Sequence, residues 1–364
     1  MTGRHLVVMA AGTGGHILPG LAVAREMQHR GWTVSWLGTP GGMEHKLVTP
    51  ESGIPLDTIA FTGLRGKGFM HAMTGGFRLL GAFGQCLKLL KHRAATAVFG
   101  TGGYVCFPGG LMASALGKPL VLMNADAALL LSNRALKPVA DRIAFGFDGA
   151  AAATTKRGIV TGNPVRAEIE ALPAPAERYA GREGPLRVLV VGGSLGAKVL
   201  NETLPAALAL LEARERPLVI HQTGATQRDA VKATYATLGL DPEGRGIEVL
   251  PFIDDMPSRL AHADLVICRA GAVTVSELCA AGVASILVPL VVSTTSHQRD
   301  NAQLLAQHGA AIHLPQGELT PQAVADRLRA LDRVELLAMA EKARALSRPR
   351  AAARVADEIE RLVA

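Results

Sequence analysis

The chain has 364 residues, 49% of them apolar and 19% charged, and a formal net charge of +7. This length gives about two domains, each large enough to bury its own core, and the composition excludes a disordered chain. Cys86, Cys106, Cys268 and Cys279 form no CxxC pair and no signal peptide precedes Arg4, so the thiols read as core hydrophobes in a reducing cytoplasm.

In chain order, Leu6-Val7-Val8-Met9-Ala10 leads straight into Gly12-Thr13-Gly14-Gly15-His16. A continuous apolar run of this kind reads as a buried parallel strand, and a glycine-rich helix start reads as an anion cradle. Strand-like and helix-like segments alternate at 5–10, 18–30, 33–37, 44–52, 56–60, 77–92, 96–99, 109–116, 119–123, 128–136, 142–145 and 158–160. Leu172-Pro173-Ala174-Pro175, Gly181 and Gly184-Pro185 read as linker, which places a domain boundary within 161–185. A second run, Val188-Leu189-Val190-Val191, then enters Gly192-Gly193-Ser194-Leu195-Gly196 at half-chain distance from the first. The alternation resumes at 197–213, 217–221, 226–238, 246–249, 256–260, 264–267, 274–281, 284–288, 299–307, 311–313 and 321–330. It ends in a long helical tract from about Arg333 to Val363. Such alternation predicts an α/β chain with parallel sheets and right-handed crossovers.

The positive charge is concentrated. No Asp or Glu lies between Asp57 and Asp126, while Arg65, Lys67, Arg78, Lys88, Lys91, Arg93 and Lys118 all do. Within this stretch Phe69, Met73, Phe77, Leu80, Phe83, Leu87 and Leu90 recur at steps of three and four, one face of a helix, with Arg78, Lys88 and Lys91 along its flank. Glycines at 75, 76, 81 and 84 weaken that helix and predict a break near Gly75-Gly76. It is either a core-facing helix with a solvated basic edge or an interfacial face for anionic lipid headgroups. The long acid-free span favours the membrane surface. Nucleic acid is disfavoured because aromatics do not interleave with the basic residues. The uncharged stretch between Arg93 and Lys118 is too rich in glycine to read as a membrane span.

Neither main turn matches G-x-G-x-x-G, and the second strand ends in Gly38-Thr39 with no carboxylate for a ribose diol. P-loop spacing is absent too, so nicotinamide and nucleoside triphosphate are disfavoured and no cofactor is expected. A third loop, Gly100-Thr101-Gly102-Gly103-Tyr104, follows the strand at 96–99. Three such turns would gather at the carboxyl ends of the sheets, where open α/β folds bind ligands. His16 at a helix start would be kept neutral by the macrodipole and able to accept a proton, or would serve as a hydrogen-bonding helix-start residue. Gly271 to Glu277 starts another helix, where Thr274 and the N–H groups could hold phosphate and Glu277 a ribose diol. Alternatively Glu277 is only a helix-start carboxylate. No His/Cys cluster or Asp-x-Asp suggests a metal, and Asp254-Asp255 reads as a helix start.

Several of these motifs resemble the MurG family of peptidoglycan glycosyltransferases: Gly12-Thr13-Gly14-Gly15-His16 with Pro19-Gly20, Gly63-Leu64-Arg65-Gly66-Lys67-Gly68, and Gly102-Gly103-Tyr104 with Pro108-Gly109-Gly110. So do Gly162-Asn163-Pro164-Val165-Arg166, Gly192-Gly193-Ser194 with Gly196-Ala197, Phe252-Ile253-Asp254-Asp255-Met256, Thr274-Val275-Ser276-Glu277, and His297-Gln298 with Asn301-Ala302. The resemblance implies an α/β GT-B fold, two Rossmann-like doubly wound domains facing a cleft. Residues 1–163 would form an acceptor- and membrane-associating domain and 164–341 a UDP-sugar domain, with a final helix at about 342–364 packing back on the first. It implies inverting, metal-independent transfer of N-acetylglucosamine from UDP-N-acetylglucosamine to the C4 hydroxyl of the muramoyl sugar in undecaprenyl-pyrophosphoryl-N-acetylmuramoyl-pentapeptide. The setting would be the cytoplasmic face of the bacterial inner membrane.

By the same resemblance Ile253 would face uracil, Glu277 the ribose hydroxyls, and Ser194, Thr274 and Arg166 the diphosphate. Gln298, with His297 and Asn301 nearby, would read the sugar, and Thr13, Gly14, Gly15, His16 and Asn133 would also border the donor. Gly14, Gly15, Gly102, Gly103 and Tyr104 would take the acceptor diphosphate, and Phe69, Met73, Phe77, Leu80, Phe83, Lys88 and Lys91 would meet the membrane. One departure matters: Met123-Asn124-Ala125-Asp126 stands where the family usually has His-Glu-Gln-Asn. Leu195 and Ala270 also differ from the usual Gln and Ser. The base is then His16 or Asp126. The alternatives are a GT-B transferase with another acceptor, a UDP-sugar epimerase, or a non-catalytic sugar-nucleotide sensor.

Overall fold

A computed structural model describes residues 3–48, 52–61, 69–193, 196–241, 246–290 and 296–364; within the helix Phe69–His92, side chains are described from Arg78. The chain divides into two compact units, residues 1–165 with 348–364, and residues 166–347.

The first unit is built on a seven-stranded sheet: β1 (His5–Ala10), β2 (Thr33–Gly38), β3 (Leu56–Thr58), β4 (Ala97–Gly102), β5 (Leu120–Asn124), β6 (Arg142–Phe145) and β7 (Gly158–Val160). Its order is β3-β2-β1-β4-β5-β6-β7, and the pairings are parallel. Strands covered on both faces need apolar side chains along most of their length, which is why β1 carries the unbroken run Leu6–Ala10 and β4 opens on Ala97-Val98-Phe99. Leu6, Val8 and Ala10 point to one face and pack with Ile17, Trp36 and Phe99. Val7 and Met9 point to the other, with Leu37, Cys86, Leu90 and Leu122.

The second unit repeats the plan with β8 (Arg187–Val191), β9 (Leu218–Gln222), β10 (Ile247–Leu250), β11 (Leu265–Cys268), β12 (Ala284–Leu287) and β13 (Ile312–His313), in the order β10-β9-β8-β11-β12-β13. These pairings are also parallel. Its core gathers Val188, Val190, Leu204, Tyr235, Ile267 and Leu336.

Three expectations change. The tract from Arg333 is two helices, Arg333–Ala345 and Ala351–Val363. Between them Pro349 lacks an N–H and Arg350 takes a left-handed φ of 58°, which no helix can carry through. The amphipathic second helix lays Val355, Ala356 and Ile359 on the Leu6 face of the first unit. The helix Phe69–His92 runs on through Gly75-Gly76 without the expected break. The proline-rich stretch read as linker is docked: Pro175–Tyr179 is a short helix, Tyr179 is buried, and its hydroxyl donates to the Asp264 carbonyl at 2.7 Å.

Candidate active site

In each unit the glycine turn lies where strand order reverses. The Gly12 turn follows β1 and the Gly103 turn follows β4, neighbouring strands whose connections leave the sheet in opposite directions. In the second unit the Gly192 turn follows β8 and the Gly271 turn follows β11, again neighbours at the reversal. Such switch points open a crevice at the carboxyl ends of parallel strands.

The first crevice is shaped by absent side chains. Gly12 has a φ of 99°, which a side chain would strain. Thr13 is the residue before the helix Gly14–His29, and its hydroxyl does not cap it. Helix N-terminal N–H groups without such a cap are anion donors. His16 sits in the first turn, half-buried, and its carbonyl accepts a 2.7 Å hydrogen bond from the Thr101 hydroxyl. Its ring lies against Gly102: a Cβ there would be 2.3 Å from Nδ1. Gly103 is equally forced, since a Cβ would meet the Ala11 carbonyl oxygen at 2.3 Å. Tyr104 beyond it is exposed. Beneath the loop, the single hydrogen of the Cys106 thiol is shared between the Met9 and Gly102 carbonyls, 3.3 Å and 3.1 Å from Sγ. Burial pushes that thiol up to about 12, so it stays protonated.

Asp126 is half-buried on the loop after β5, the next strand beyond β4. Asn133 was expected at the donor. It is 1% exposed, and its amide nitrogen donates to the Met123 carbonyl at 2.8 Å and to Asn124 Oδ1 at 3.2 Å. Both amide hydrogens thus serve the loop from inside, which makes Asn133 a brace. Sequence reasoning missed this role because nothing in residue spacing marks an inward-facing asparagine.

In the second unit Ser194 and Leu195 lie outside the described residues. Around them Gly193 and Gly196 have φ of 79° and 75°, and a Cβ on Gly196 would be 2.1 Å from the Thr223 carbonyl oxygen. The Gly271 turn opens the helix Ala272–Ala281, which no side chain caps and whose third residue is the half-buried Thr274. The structure brings Arg166 and Glu277 together as a two-pronged ion pair, Nε–Oε1 2.7 Å and Nη2–Oε2 3.0 Å. Arg166 therefore orients the carboxylate expected to take the ribose. Ile253 is buried and its neighbour Phe252 is exposed. Gln298 Oε1 accepts from the Leu290 N–H at 2.9 Å. Asn301, expected near the sugar-reading Gln298, is fully buried and donates to the Ala270 carbonyl at 3.0 Å. Arg269, unnoticed in the sequence, ties the Val288 and Pro289 carbonyls to Gln316, and burial lowers its guanidinium below the ordinary value.

The basic helix is divided. Ala82, Cys86 and Leu90 face the core, whereas Leu80 is 66% exposed and Lys88 and Lys91 are exposed. Phe83 is half-buried against Phe107, with ring centroids 6.3 Å apart. The side chains of Phe69, Met73 and Phe77 lie outside the described residues, as do Arg65 and Lys67. No helix among the described residues is long and apolar enough to cross a membrane.

Residues 6–145 match the glycosyltransferase family 28 N-terminal domain, and residues 187–361 match the family 28 C-terminal domain. The chain is 79% identical, over its full length and 99% of the relative, to the UDP-N-acetylglucosamine--N-acetylmuramyl-(pentapeptide) pyrophosphoryl-undecaprenol N-acetylglucosamine transferase of Methylibium petroleiphilum. The chain belongs to the MurG family. Its counterpart in Chromobacterium violaceum is 61% identical over 100% of this chain and 99% of that one. The crystal structure of Acinetobacter baumannii MurG is 39% identical, with a TM-score of 0.85 over 98% of this chain and 99% of that chain. The calicheamicin glycosyltransferase CalG4, 18% identical with a TM-score of 0.68 over 99% of this chain and 98% of that chain, shares the fold. That fold is GT-B, as the resemblance implied, and the chain is a hexosyltransferase of this family.

Proposed function

We propose that the chain transfers N-acetylglucosamine from UDP-N-acetylglucosamine to the C4 hydroxyl of the muramoyl sugar in undecaprenyl-pyrophosphoryl-N-acetylmuramoyl-pentapeptide. The observation that carries this reading is the 79% full-length identity to a transferase of that name. The two uncapped, glycine-lined switch points support it.

In this reading the second unit holds the UDP-sugar. The N–H groups at the Gly271 turn, with Thr274, stabilise the charge that builds on UDP as it leaves. Glu277, steadied by Arg166, takes the ribose hydroxyls. In the first unit the helix start at Gly14-Gly15 and the Gly102-Gly103-Tyr104 turn take the acceptor diphosphate. The acceptor hydroxyl attacks the anomeric carbon from the face opposite UDP, inverting it, and His16 takes the hydroxyl proton. Asp126 is the second group able to take or orient that proton. Leu80, Lys88 and Lys91 bring the enzyme to the cytoplasmic face of the inner membrane as a peripheral protein.

The test is transfer from labelled UDP-N-acetylglucosamine to a lipid-linked muramoyl-pentapeptide analogue. Transfer confined to water-soluble acceptors would replace this reading with a different acceptor class. His16→Ala is expected to lose about 10²–10⁴-fold in turnover, the usual cost of a general base. A loss within about threefold would move that role from His16.

A further inference from the structure

The loop after β5 carries Asp126, and buried asparagine side chains bond to it at several points. Asn124 is fully buried. Its Nδ2 donates to the Asp126 carbonyl at 2.8 Å and to the Ala128 carbonyl at 3.1 Å. Its Oδ1 accepts from the Leu130 N–H at 2.9 Å and from Asn133 Nδ2 at 3.2 Å. A side-chain amide has two donor hydrogens and two acceptor lone pairs, so all four are used within one short loop. Asn163, 4% exposed, adds a 2.8 Å bond from Nδ2 to the Ala125 carbonyl, immediately before Asp126. Gly146 makes room for it: a Cβ there would stand 2.3 Å from both Asn163 side-chain heteroatoms. The Gly146 N–H in turn donates to the Asn124 carbonyl at 3.0 Å. The carbonyls on both sides of the Asp126 peptide, those of Ala125 and Asp126 itself, are therefore held by buried side chains.

We infer that Asn124 and Asn163 are positioning residues for the transfer reaction, fixing the backbone on either side of Asp126 and so the place of its carboxylate. This inference rests on the reading that Asp126 acts on the acceptor. No aspartate can substitute at 124, because a carboxylate would turn lone pairs toward two carbonyl oxygens in a buried site. Position 124 is thus a brace, and the acidic chemistry of the segment belongs to residue 126.

The experiment compares the full-length enzyme with Asp126→Asn, Asn163→Ala and the double variant. It measures kcat with the lipid-linked analogue, UDP affinity by titration, and thermal unfolding. Gly146→Ala serves as an independent way of displacing Asn163. A misplacement of about 1 Å costs up to roughly 100-fold in rate. Asn163→Ala and Gly146→Ala are therefore expected to lower kcat by about 10- to 100-fold with UDP affinity unchanged. In the Asp126→Asn background, Asn163→Ala should cost little more, since residues acting through one another are not additive. Losses that multiply in the double variant, or UDP affinity that falls in step with kcat, would overturn the inference and leave the asparagines as general stabilisers. Asp126→Asn within about threefold of the parent would instead overturn the underlying reading of Asp126. The two failures are therefore distinguishable.

Discussion

Gly102→Ala is the sharpest perturbation of the first crevice. The added Cβ would fall 2.3 Å from His16 Nδ1, 2.6 Å from Cε1 and 2.8 Å from Cγ. Ordinary contact is about 3.5 Å or more, so the imidazole must retreat by about 1 Å. The Thr101 bond to the His16 carbonyl holds the helix backbone, so the displacement falls on the ring. A shift of that size at a reacting group costs up to roughly 100-fold in kcat. The φ of 136° adds strain of about 1–3 kcal/mol, which lowers the melting temperature of the first unit by several degrees. Gly117→Ala separates the two effects: it has a φ of 63° with nothing within 4 Å of the added Cβ, so it carries strain without a clash. The assay is turnover with the lipid-linked analogue alongside thermal unfolding of both variants. Gly117→Ala should lose about 1–2 kcal/mol and keep its kcat. A folded Gly102→Ala enzyme with kcat within about threefold of the parent would refute the idea that the ring position of His16 governs transfer.

Three further outcomes follow from other parts of the molecule. Asp264 is fully buried, bound to Arg182 at 2.6 Å and Arg333 at 3.2 Å and accepting from the Arg187 N–H at 2.9 Å. Asp264→Ala strands a buried guanidinium and should cost about 3–5 kcal/mol in unfolding of the second unit, measured with denaturant. His221 is fully buried with Nδ1 3.0 Å from the Tyr235 hydroxyl, and burial lowers its pKa to about 4 from 6.5. Because the folded state resists protonation, its stabilising effect is full above pH 6.5 and is lost as pH falls toward 4, about 3 kcal/mol in all. Comparing unfolding free energies of the parent and His221→Gln across that window checks the slope. Replacing both Lys88 and Lys91 by glutamine should weaken binding to anionic vesicles by about 30-fold, at about 1 kcal/mol per lysine; unchanged binding in flotation assays would remove this helix face from the membrane.

Much of the fold was legible because parallel strands covered on both faces announce themselves as unbroken apolar runs. The runs at Leu6 and Val188 are β1 and β8, and the glycine turns after them lie at the two strand-order reversals. Periodicity was less faithful along the basic helix. Leu80 and Leu90 share a step pattern, yet one is 66% exposed and the other 1%, because the core meets the Ala82-Cys86-Leu90 line and the stripe drifts off it. The proline-rich stretch at 172–185 read as linker because prolines break regular structure, although the arginines between them bind carbonyls of the second unit. Arg178 donates to the Ala281 and Gly282 carbonyls and Arg182 to that of Ala261.

The asparagines show a role that residue spacing does not announce. The family resemblance puts Asn133 at the donor and Asn301 beside the sugar-reading Gln298. Each is buried and bonded to a carbonyl at or just beyond the end of a strand, and Asn163 and Asn201 do the same at Ala125 and Thr223. The physical need is general. A parallel sheet ends in carbonyls that no further strand pairs, and a ligand crevice keeps those ends away from bulk water. A neutral amide meets that need without bringing a charge, whereas a lysine or aspartate there would pay heavy desolvation. The need arises only from tertiary packing, so it leaves no period or spacing in the sequence. Where strand ends line a crevice, a buried asparagine is first a candidate brace, and a half-buried acidic neighbour such as Asp126 is the group it holds in place.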